Sequence, residues 1–245
     1  MATFAVILPA AGKSSRFGGM EKKPFAFLAG RPVWQRTAEL FWNRPNVSKV
    51  YLVISPEDRN DFRARFGHVI AFANAELVEG GAERFESVAN ALAKIQPEVD
   101  FVAIHDAVRP LTSSQQIDET FAAAVVSGAA ILAMPVADTL KRVNADNGIT
   151  ETVSRTGLWQ AQTPQVFRRD WLLDAYAQRS TLGATITDDA QLIEATGHPV
   201  TVVNGSLSNF KITTKDDLML AETVLGSRVV EKPKSRPSFH EEVQW

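Results

Sequence analysis

The stretch Thr3–Gly19, TFAVILPAAGKSSRFGG, decides the fold of this 245-residue chain. Its first part, Thr3–Leu8, is short, apolar and partly β-branched, which is typical of a buried parallel strand. The small residues after the strand would let a ligand approach backbone N–H groups closely; they are Ala10, Ala11 and Gly12. Four cations lie in the loop or just beyond it, namely Lys13, Arg16, Lys22 and Lys23. The pattern indicates a phosphate-binding loop, and a solvated surface loop is an equally weighted alternative for this segment alone.

Two familiar phosphate-binding motifs do not fit this loop. A P-loop needs a small residue five positions before the Gly-Lys-Ser triplet at Gly12, and that position is Ile7, inside the strand. A dinucleotide fingerprint needs a second glycine two positions after Gly12, where the chain has Ser14. Neither a P-loop NTPase nor a dinucleotide-binding enzyme is therefore indicated.

The bulk composition excludes several classes of protein. There are 26 Lys plus Arg against 28 Asp plus Glu, a net charge of −2, so no overall positive field would attract nucleic acid or an anionic membrane. The chain has no cysteine, which removes disulfides, thiolate nucleophiles and Cys-ligated zinc. The first apolar run is too short for a signal peptide or a membrane span, and the histidines lack metal-ligand spacing. We expect a soluble cytoplasmic protein with a local anion site and no nucleic-acid or membrane partner.

Apolar runs alternate with helical patterns along the chain. The apolar runs are Thr3–Leu8, Lys49–Ser55, Asp100–His105, Ala129–Val136 and Pro199–Val203. Patterns with helical spacing cover Pro32–Arg44, Glu83–Ile95 and Ser113–Ser127. This alternation predicts an α/β fold, a largely parallel sheet with helices on both faces, whose ligands bind beyond the carboxyl ends of the strands.

One large domain is expected over residues 1–227. Within it the pattern breaks at about 138–167 into polar, turn-rich sequence with short strand-like pieces, and we interpret this segment as a protruding β-arm. The arm carries Leu158 and Trp159 and cannot bury its apolar side alone, so packing against a second subunit is expected. Residues 228–245, rich in Pro and charge, are predicted to form a disordered tail.

Polar residues follow the apolar run Asp100–His105. Asp106 comes where this strand would meet the ligand side of the sheet, and its carboxylate could hold a ribose hydroxyl or a divalent cation. Arg109 offers a two-pronged donor to a phosphate. A structural Asp–Arg pair that caps the next helix is an equally good interpretation of these two residues. His105 is assigned to the structure.

Two further motifs are weaker on their own. The segment Gly80–Ser87, which includes Arg84, begins just before a predicted helix whose N-terminus would offer free N–H groups to a base or phosphate. Its paired glycines could equally make a simple turn. The segment Thr187–Asp189 is interpreted as a helix N-cap rather than as a pair of catalytic carboxylates.

Taken in order, seven segments of the chain strongly resemble the 2-C-methyl-D-erythritol 4-phosphate cytidylyltransferases of non-mevalonate isoprenoid synthesis. They are PAAGKSSRF with Lys23, EGGAERFESV, HDAVRP, PVADTLK, RTGLWQAQTPQVF, ATITDDA and SNFKIT, and the resemblance as a whole spans roughly Thr3–Leu225. Each segment is weak alone, but all of them in register over a chain of fitting length make coincidence a poor explanation. Several are shared with neighbouring nucleotidyltransferases.

The resemblance implies a Rossmann-like nucleotidyltransferase fold and a defined reaction. Such an enzyme joins CTP to the phosphate of a sugar alcohol, 2-C-methyl-D-erythritol 4-phosphate, and gives 4-diphosphocytidyl-2-C-methyl-D-erythritol and pyrophosphate. Mg²⁺ or another divalent cation is implied as cofactor, and the likeness of the arm suggests a homodimer. The chemistry agrees with the residues, because an ionised phosphate monoester attacking CTP needs cations rather than a base.

The resemblance also assigns roles to residues by position. The expected catalytic residues are Arg16 and Lys23, which match transition-state stabilisers, and Arg155 and Lys211, which match residues that position the methylerythritol phosphate. The expected CTP-binding residues are Ala10, Ala11, Gly12, Arg16, Lys23, Gly81, Ser87 and Asp106. The expected acceptor-binding residues are Arg109, Thr139, Arg155, Thr163 and Lys211. Asp106 would lie beside the ribose and a metal held mainly by the CTP phosphates, and Arg155 would reach from the arm into the partner's site.

One departure and two alternatives accompany this assignment. The family often has an acidic residue after the paired glycines, where this chain has Ala82, so backbone groups near Ala10 and Gly81 would have to read the cytosine. A ribitol 5-phosphate cytidylyltransferase would share the nucleotide half and differ in the acceptor pocket. A non-catalytic nucleotide sensor would keep the fold, but it has no need of cations for both the attacking and the leaving group.

Overall fold

The computed structural model describes residues 1–12, 17, 22–179 and 186–228. The strands are β1 Phe4–Pro9, β2 Phe27–Leu28, β3 Arg31–Pro32, β4 Val47–Ile54, β5 Ala75–Glu79, β6 Phe101–Ile104, β7 Ala129–Pro135, β8 Leu140–Val143, β9 Ile149–Val153, β10 Trp159–Arg168 and β11 Thr201–Asn204. The helices are α1 Val33–Glu39, α2 Arg59–Phe72, α3 Arg84–Leu92, α4 Ser114–Ser127, α5 Arg169–Gln178, α6 Asp189–Ala195 and α7 Lys215–Ser227.

In the described part of the chain, a main sheet of seven strands has the order β11, β7, β10, β6, β1, β4, β5. β1 pairs in parallel with both β4 and β6, and β4 pairs in parallel with β5. β10 alone among these strands runs antiparallel to its neighbours β6 and β7. The prediction of an α/β fold with a mostly parallel sheet between helices is therefore confirmed.

The strand order reverses at β1. The chain moves from β1 outward through β4 to β5 and then returns to the other side of β1 to form β6. At such a switch point the loops after neighbouring strands diverge, and a crevice opens beyond the carboxyl ends of the strands. The loops after β1, β4, β5 and β6 meet at this crevice.

β1 is buried on both faces, as its unbroken apolar sequence predicts. Its even-numbered residues pack on one side with Trp34 of α1 and Phe62 of α2, whose rings have centroids 5.1 Å apart. Its odd-numbered residues pack on the other side with Val88 of α3 and Leu192 of α6. Full burial of a Val, Leu, Ile or Phe side chain contributes about 1.5–3 kcal/mol to the stability of the fold. The strand that leads to the crevice is therefore firmly held.

A third apolar cluster supports the segment before α7. Ile212 is fully buried and packs with Leu28, Val108 and Leu111. Its backbone N–H also donates to the carbonyl oxygen of Val108 at 2.9 Å. Lys211, the neighbour of Ile212, is thereby fixed next to the segment that follows β6.

Two strands of the main sheet differ from the expectation drawn from the sequence. β5 was not predicted, because its sequence AELVE carries two carboxylates and forms no apolar run. The predicted arm, 138–167, extends too far, because β10 is a strand of the main sheet. The polar residues Gln162, Thr163 and Gln165 hide this strand in the sequence, although all three are buried. The hairpin of β8 and β9 is the part that forms a separate two-stranded sheet.

Other expectations concern helix ends and termini. Asp188 is the N-cap of α6, where its side chain accepts a hydrogen bond from the N–H of Gln191, as interpreted from the sequence. The predicted tail lies outside the described residues from position 229 onward, and so does Arg16. None of the helices in the described ranges combines the length and apolarity needed to cross a bilayer.

Candidate active site

A cleft of about 700 Å³ lies at the switch point of the sheet. Cavities that hold small-molecule ligands commonly measure about 300–1,000 Å³. Its walls come from the ends of β1, β4, β5 and β6, from the segment at Lys22–Pro24 and from Lys211. The cleft therefore forms where the fold predicts a ligand site.

The floor of the cleft is made of closely packed backbone. The N–H of Ala10 donates to the carbonyl oxygen of Val53 at 2.7 Å, and the N–H of Gly80 donates to that of Ile54 at 2.7 Å. A Cβ at Gly80 would lie 2.8 Å from the Cβ of Ala11, so only glycine fits there. The loops after β1 and β5 are thus locked together, which presents Ala10, Ala11 and Gly12 to the cleft.

The loop after β5 continues into a capped helix. The N–H of Gly81 donates to Oγ of Ser87 at 3.1 Å, and Ser87 Oγ–H donates to the carbonyl oxygen of Glu83 at 3.2 Å. Glu83 and Glu86 form a reciprocal capping box, in which the N–H of Glu83 donates to Oε2 of Glu86 at 3.1 Å. The N-terminus of α3 and its positive dipole are therefore fixed at the cleft wall.

Three cations surround the carboxylate of Asp106, which follows β6. Lys211 Nζ and Arg109 Nε each lie 3.1 Å from Oδ2 of Asp106. Burial alone would raise the pKa of Asp106, but Lys211, Arg109 and Arg84 outweigh it and hold the pKa well below its usual value. The carboxylate is therefore ionised, and the region around it is positive overall.

A hydrogen-bonded chain behind the cleft orients Asp106. The N–H of Asp106 donates to Thr163 Oγ1 at 3.0 Å, and the Thr163 hydroxyl donates to Nδ1 of His105 at 3.1 Å. Nε2 of His105 lies 3.1 Å from the carbonyl oxygen of Arg109, which can only accept, so this nitrogen carries the proton. Burial lowers the pKa of His105 to about 4. His105 is thus a neutral structural residue, in agreement with its sequence-based assignment.

Asn209 is a residue that sequence reasoning missed. It is 0% exposed, and its amide nitrogen donates to Oε1 of Gln162 and to the carbonyl oxygen of Thr163. The backbone carbonyl oxygen of Asn209 accepts a hydrogen bond from Nη1 of Arg109 at 2.6 Å. Asn209 therefore joins β10, the segment after β6 and the segment that carries Lys211. Nothing in the sequence of the SNFKIT motif indicates that this polar residue is buried.

Arg84 is a second residue whose position at the site was not assigned. It lines the cleft at the first turn of α3. Its Nη2 lies 2.6 Å from Oδ2 of Asp189, at the start of α6. The signal available in the sequence was the place of Arg84 inside the EGGAERFESV motif.

The structure brings most of the expected residues together. Those lining the cleft are Ala10, Ala11, Gly12, Lys23, Gly81, Ser87, Asp106 and Lys211. Arg109 and Thr163 lie behind it, in contact with Asp106. Thr139 and Arg155 are exposed and do not line the cleft of the same chain. Ala82 also lines the cleft.

The donor set for a metal at the cleft is small. The described residues contain no cluster of three or more His, Asp or Glu side chains placed to hold a metal ion by themselves. Within the described residues, the ion pairs of Asp106 with Lys211 and Arg109 both use its Oδ2 atom. Mg²⁺ commonly binds through one or two carboxylates together with substrate phosphates. Asp106 fits a metal of that kind.

The fold and the cleft together define a class of protein. The loop after the first strand, a helix N-terminus, several cations and the carboxylate of Asp106 meet at the switch point of a mostly parallel sheet. This is the arrangement of an α/β nucleotidyltransferase.

Comparison with known proteins identifies the family within this class. The family model of IspD, 2-C-methyl-D-erythritol 4-phosphate cytidylyltransferase, matches residues 4–227, and the chain belongs to this family. A protein of Rhodopirellula baltica with that name is 43% identical over 235 residues, which cover 91% of this chain and 95% of the relative. One of Bacillus velezensis is 40% identical over 223 residues, with coverage of 91% and 95%.

Solved structures agree with the family. The crystal structure of Francisella tularensis 2-C-methyl-D-erythritol 4-phosphate cytidylyltransferase superposes with a TM-score of 0.76 at 32% identity. That superposition covers 91% of this chain and 99% of the other. A 4-diphosphocytidyl-2C-methyl-D-erythritol synthase from Anaerococcus prevotii gives a TM-score of 0.78 at 28% identity, with coverage of 92% and 96%. The central sheet and its helices are therefore those of a cytidylyltransferase.

Proposed function

We propose that this protein transfers the cytidylyl group of CTP to 2-C-methyl-D-erythritol 4-phosphate, a step of isoprenoid precursor synthesis. The products are 4-diphosphocytidyl-2-C-methyl-D-erythritol and pyrophosphate. The observation that carries the proposal is the family match over residues 4–227 in a chain whose cleft holds Lys23, Asp106 and Lys211 together. The ribitol phosphate alternative has no comparable support, because the relatives compared are named for methylerythritol phosphate.

The reaction is an in-line displacement between two anions. A phosphate oxygen of the acceptor forms a bond to the α-phosphorus of CTP, and the bond from that phosphorus to the bridging oxygen of the β-phosphate breaks. The electron pair leaves with pyrophosphate. A phosphate monoester is largely ionised near neutral pH, so no side chain has to remove a proton from it. The protein must instead bring the two anions together and stabilise the charge that grows in the transition state.

The described residues supply the means for this. The residues Ala11 and Gly12 and the N-terminus of α3 line the space where a nucleotide would bind. Lys23 supplies positive charge on the side of the triphosphate, and Lys211 supplies it where the acceptor phosphate would approach. In this proposal Arg16 assists Lys23, as the resemblance implies for their positions.

The hydrogen bonds behind the cleft support a role for Arg109 and Thr163 on the acceptor side. Both side chains contact Asp106 or its backbone and so fix the carboxylate and, through it, Lys211. In this proposal they support the acceptor side from behind, and Thr139 contacts the acceptor from the start of the arm.

We further propose Mg²⁺ as the cofactor. The carboxylate of Asp106 would hold it together with the phosphates of CTP. When bound, the ion would neutralise charge on the triphosphate and so favour the departure of pyrophosphate. Lys211 and Arg109 keep Asp106 ionised for this purpose.

We also propose that the active form is a homodimer built through the arm. Val143, Ile149, Leu158 and Trp159 are exposed on or beside the hairpin of β8 and β9. A second copy of the chain would cover this apolar surface and would bring its Arg155 to the acceptor end of the cleft. The expectation of a cytoplasmic location derives from composition alone and stays a prediction.

The test is pyrophosphate release from CTP and Mg²⁺ with methylerythritol phosphate as acceptor. We expect release that depends on this acceptor and is much slower with ribitol 5-phosphate or with UTP. Lys23→Ala should fold and lose about 10²–10³ of the rate, whereas Lys49→Ala, on β4 away from the cleft, should be unaffected. Release with ribitol 5-phosphate alone would reassign the acceptor, and CTP binding without release would favour the sensor.

A further inference from the structure

A charged connection links the cleft wall to the helices α5 and α6. Arg84 projects from the first turn of α3, and its side chain remains 38% exposed at the cleft. Its Nη2 lies 2.6 Å from Oδ2 of Asp189, which is 1% exposed. The two residues are far apart in sequence, so the pair ties α3 to the start of α6.

Asp189 has a second partner on α5. The hydroxyl of Tyr176 donates to Oδ1 of Asp189 at 2.6 Å. Each carboxylate oxygen of Asp189 therefore holds one partner, the arginine on one side and the phenol on the other. Burial raises the pKa of the Tyr176 phenol, and so does the nearby Asp189, which keeps the hydroxyl protonated as a donor.

The start of α6 is itself anchored to the main sheet beside the cleft. Nε2 of Gln165, on β10, donates to Oδ2 of Asp188 at 2.8 Å. Oε1 of the same Gln165 accepts from the N–H of Ala190 at 3.1 Å. Gln165 pairs with Ile104 of β6, two residues before Asp106. Asp189 is therefore fixed relative to the strand that ends at the cleft.

Removing a carboxylate from water costs free energy of folding. Pairing it with a cation roughly offsets that desolvation cost and adds little net stability. Such a pair does define where the arginine lies. Asp189 contacts one nitrogen of the guanidinium. Arg84 also lines the cleft. Its positive charge helps to keep the carboxyl group of Asp106 ionised. An arginine held in this way is pre-organised to donate to an anion.

We propose that Arg84 binds the nucleoside triphosphate in the cleft, and that Asp189 and Tyr176 are positioning residues that hold its guanidinium in place. The identity of the nucleotide as CTP rests on the proposed function. Arg84 thereby adds a cation at the N-terminus of α3 to those that Lys22 and Lys23 bring to the cleft. The helices α5 and α6, which do not line the cleft themselves, contribute to nucleotide affinity through this contact.

The experiment is a double-mutant cycle on the equilibrium dissociation constant of CTP. Its variants are Arg84→Gln, Asp189→Asn and the two together. We expect Arg84→Gln to weaken CTP binding about tenfold or more, because a hydrogen-bonded charge is lost. Asp189→Asn should weaken it several-fold, and the double variant should bind no worse than Arg84→Gln alone. Arg84→Lys should recover only part of the affinity, because an ammonium cannot contact both Asp189 and the nucleotide with a planar fork.

One substitute variant and one control variant complete the double-mutant cycle. If Asp189→Asn does not fold, Tyr176→Phe replaces it, because it removes one hydrogen bond and no charge. Asp118→Asn, which breaks the ion pair of Arg44 and Asp118 on α4, is the matched control and should leave CTP binding unchanged. Normal CTP binding by Arg84→Gln would overturn the proposal. Losses that multiply in the double variant would overturn the positioning role of Asp189.

The binding measurement separates this inference from the proposed function. A wild-type protein that binds CTP but transfers nothing to methylerythritol phosphate would refute the reaction, and the cycle would still decide the role of Arg84. A wild-type protein that performs the transfer, together with variants that bind CTP normally, would refute only the role of Arg84.

Discussion

Lys211 Nζ lies 3.1 Å from Oδ2 of Asp106. A cation from the segment before α7 therefore contacts a carboxylate that follows β6. The Lys211 side chain is 41% exposed at the cleft, whereas that of Asp106 is only 12% exposed. The contact therefore directs Lys211 toward the cleft without burying its charge. The next residue, Ile212, holds the segment that carries Lys211 in place by packing with Val108 and Leu111.

The first prediction concerns Lys211. Lys211→Ala should fold and should lower kcat by about 10², because the cation that positions the acceptor phosphate for attack is removed. Steady-state kinetics with methylerythritol phosphate measure the effect. Lys215→Ala, an exposed lysine of α7, is the control and should keep the wild-type rate. A Lys211→Ala enzyme with a normal kcat would show that the contact with Asp106 is purely structural.

Much of the fold could be predicted because its buried strands are unbroken apolar runs. β1, β4, β6 and β7 were located in this way, within a few residues of their ends. β5 escaped because it is an edge strand whose sequence contains two glutamates and so forms no apolar run. β10 escaped because the polar groups of its buried residues are satisfied inside the fold, for example by the hydrogen bond between Gln162 and Ser206. Hydrophobic periodicity cannot reveal a buried strand of that kind.

The candidate site could be predicted only in part. The loop after β1 and the residue Asp106 follow from the rule that ligands lie beyond the carboxyl ends of parallel strands. Lys211 entered through the family resemblance, because nothing in its local sequence shows that it contacts Asp106. The contact between Arg84 and Asp189 depends on how α3 and α6 pack against the sheet, and a single sequence does not contain that information.

The second prediction concerns the loop after β5. Gly81→Ala would place a Cβ 2.4 Å from the Cβ of Glu86 and 2.7 Å from its Oε2. The backbone of the loop and the side chain of Glu86 must therefore shift, which breaks the capping box of α3. We expect a loss of about 1–2 kcal/mol in unfolding free energy, typical of a lost helix cap, and weaker CTP binding because the loop shifts. Urea unfolding and CTP titration check the two effects. Gly67→Ala, in α2 with open space around it, should be neutral or slightly stabilising; equal behaviour of the two variants would contradict the packing argument.

The third prediction concerns the pH dependence of stability. Burial lowers the pKa of His105 from 6.5 in the unfolded chain to about 4 in the folded protein. Between these values the unfolded state binds more protons, so the unfolding free energy rises with pH across this window. As pH falls from 6.5 to 4, His105 should cost about 3 kcal/mol of stability.

Unfolding in urea at a series of pH values measures this slope. His105→Gln should be less stable at pH 7, because it loses hydrogen bonds to Thr163 and Arg109, but its stability should depend less on pH between 4 and 6.5. His68→Gln, at an exposed position of α2, is the control and should keep the wild-type slope. A slope that is unchanged in His105→Gln would mean that other groups cause the acid sensitivity.

The last prediction concerns the proposed dimer. If Arg155 acts in the partner's cleft while Lys211 acts in its own, then Arg155→Ala and Lys211→Ala homodimers should both be nearly inactive. Unfolding and refolding them together in equal amounts creates heterodimers in which one of the two clefts has both wild-type residues. Random pairing makes about half of all dimers mixed, so about a quarter of the wild-type activity should return. Refolding each variant with itself is the control and should restore nothing. An absence of recovery, with mixed dimers shown to be present by mass spectrometry, would place Arg155 in the cleft of its own chain or outside the reaction.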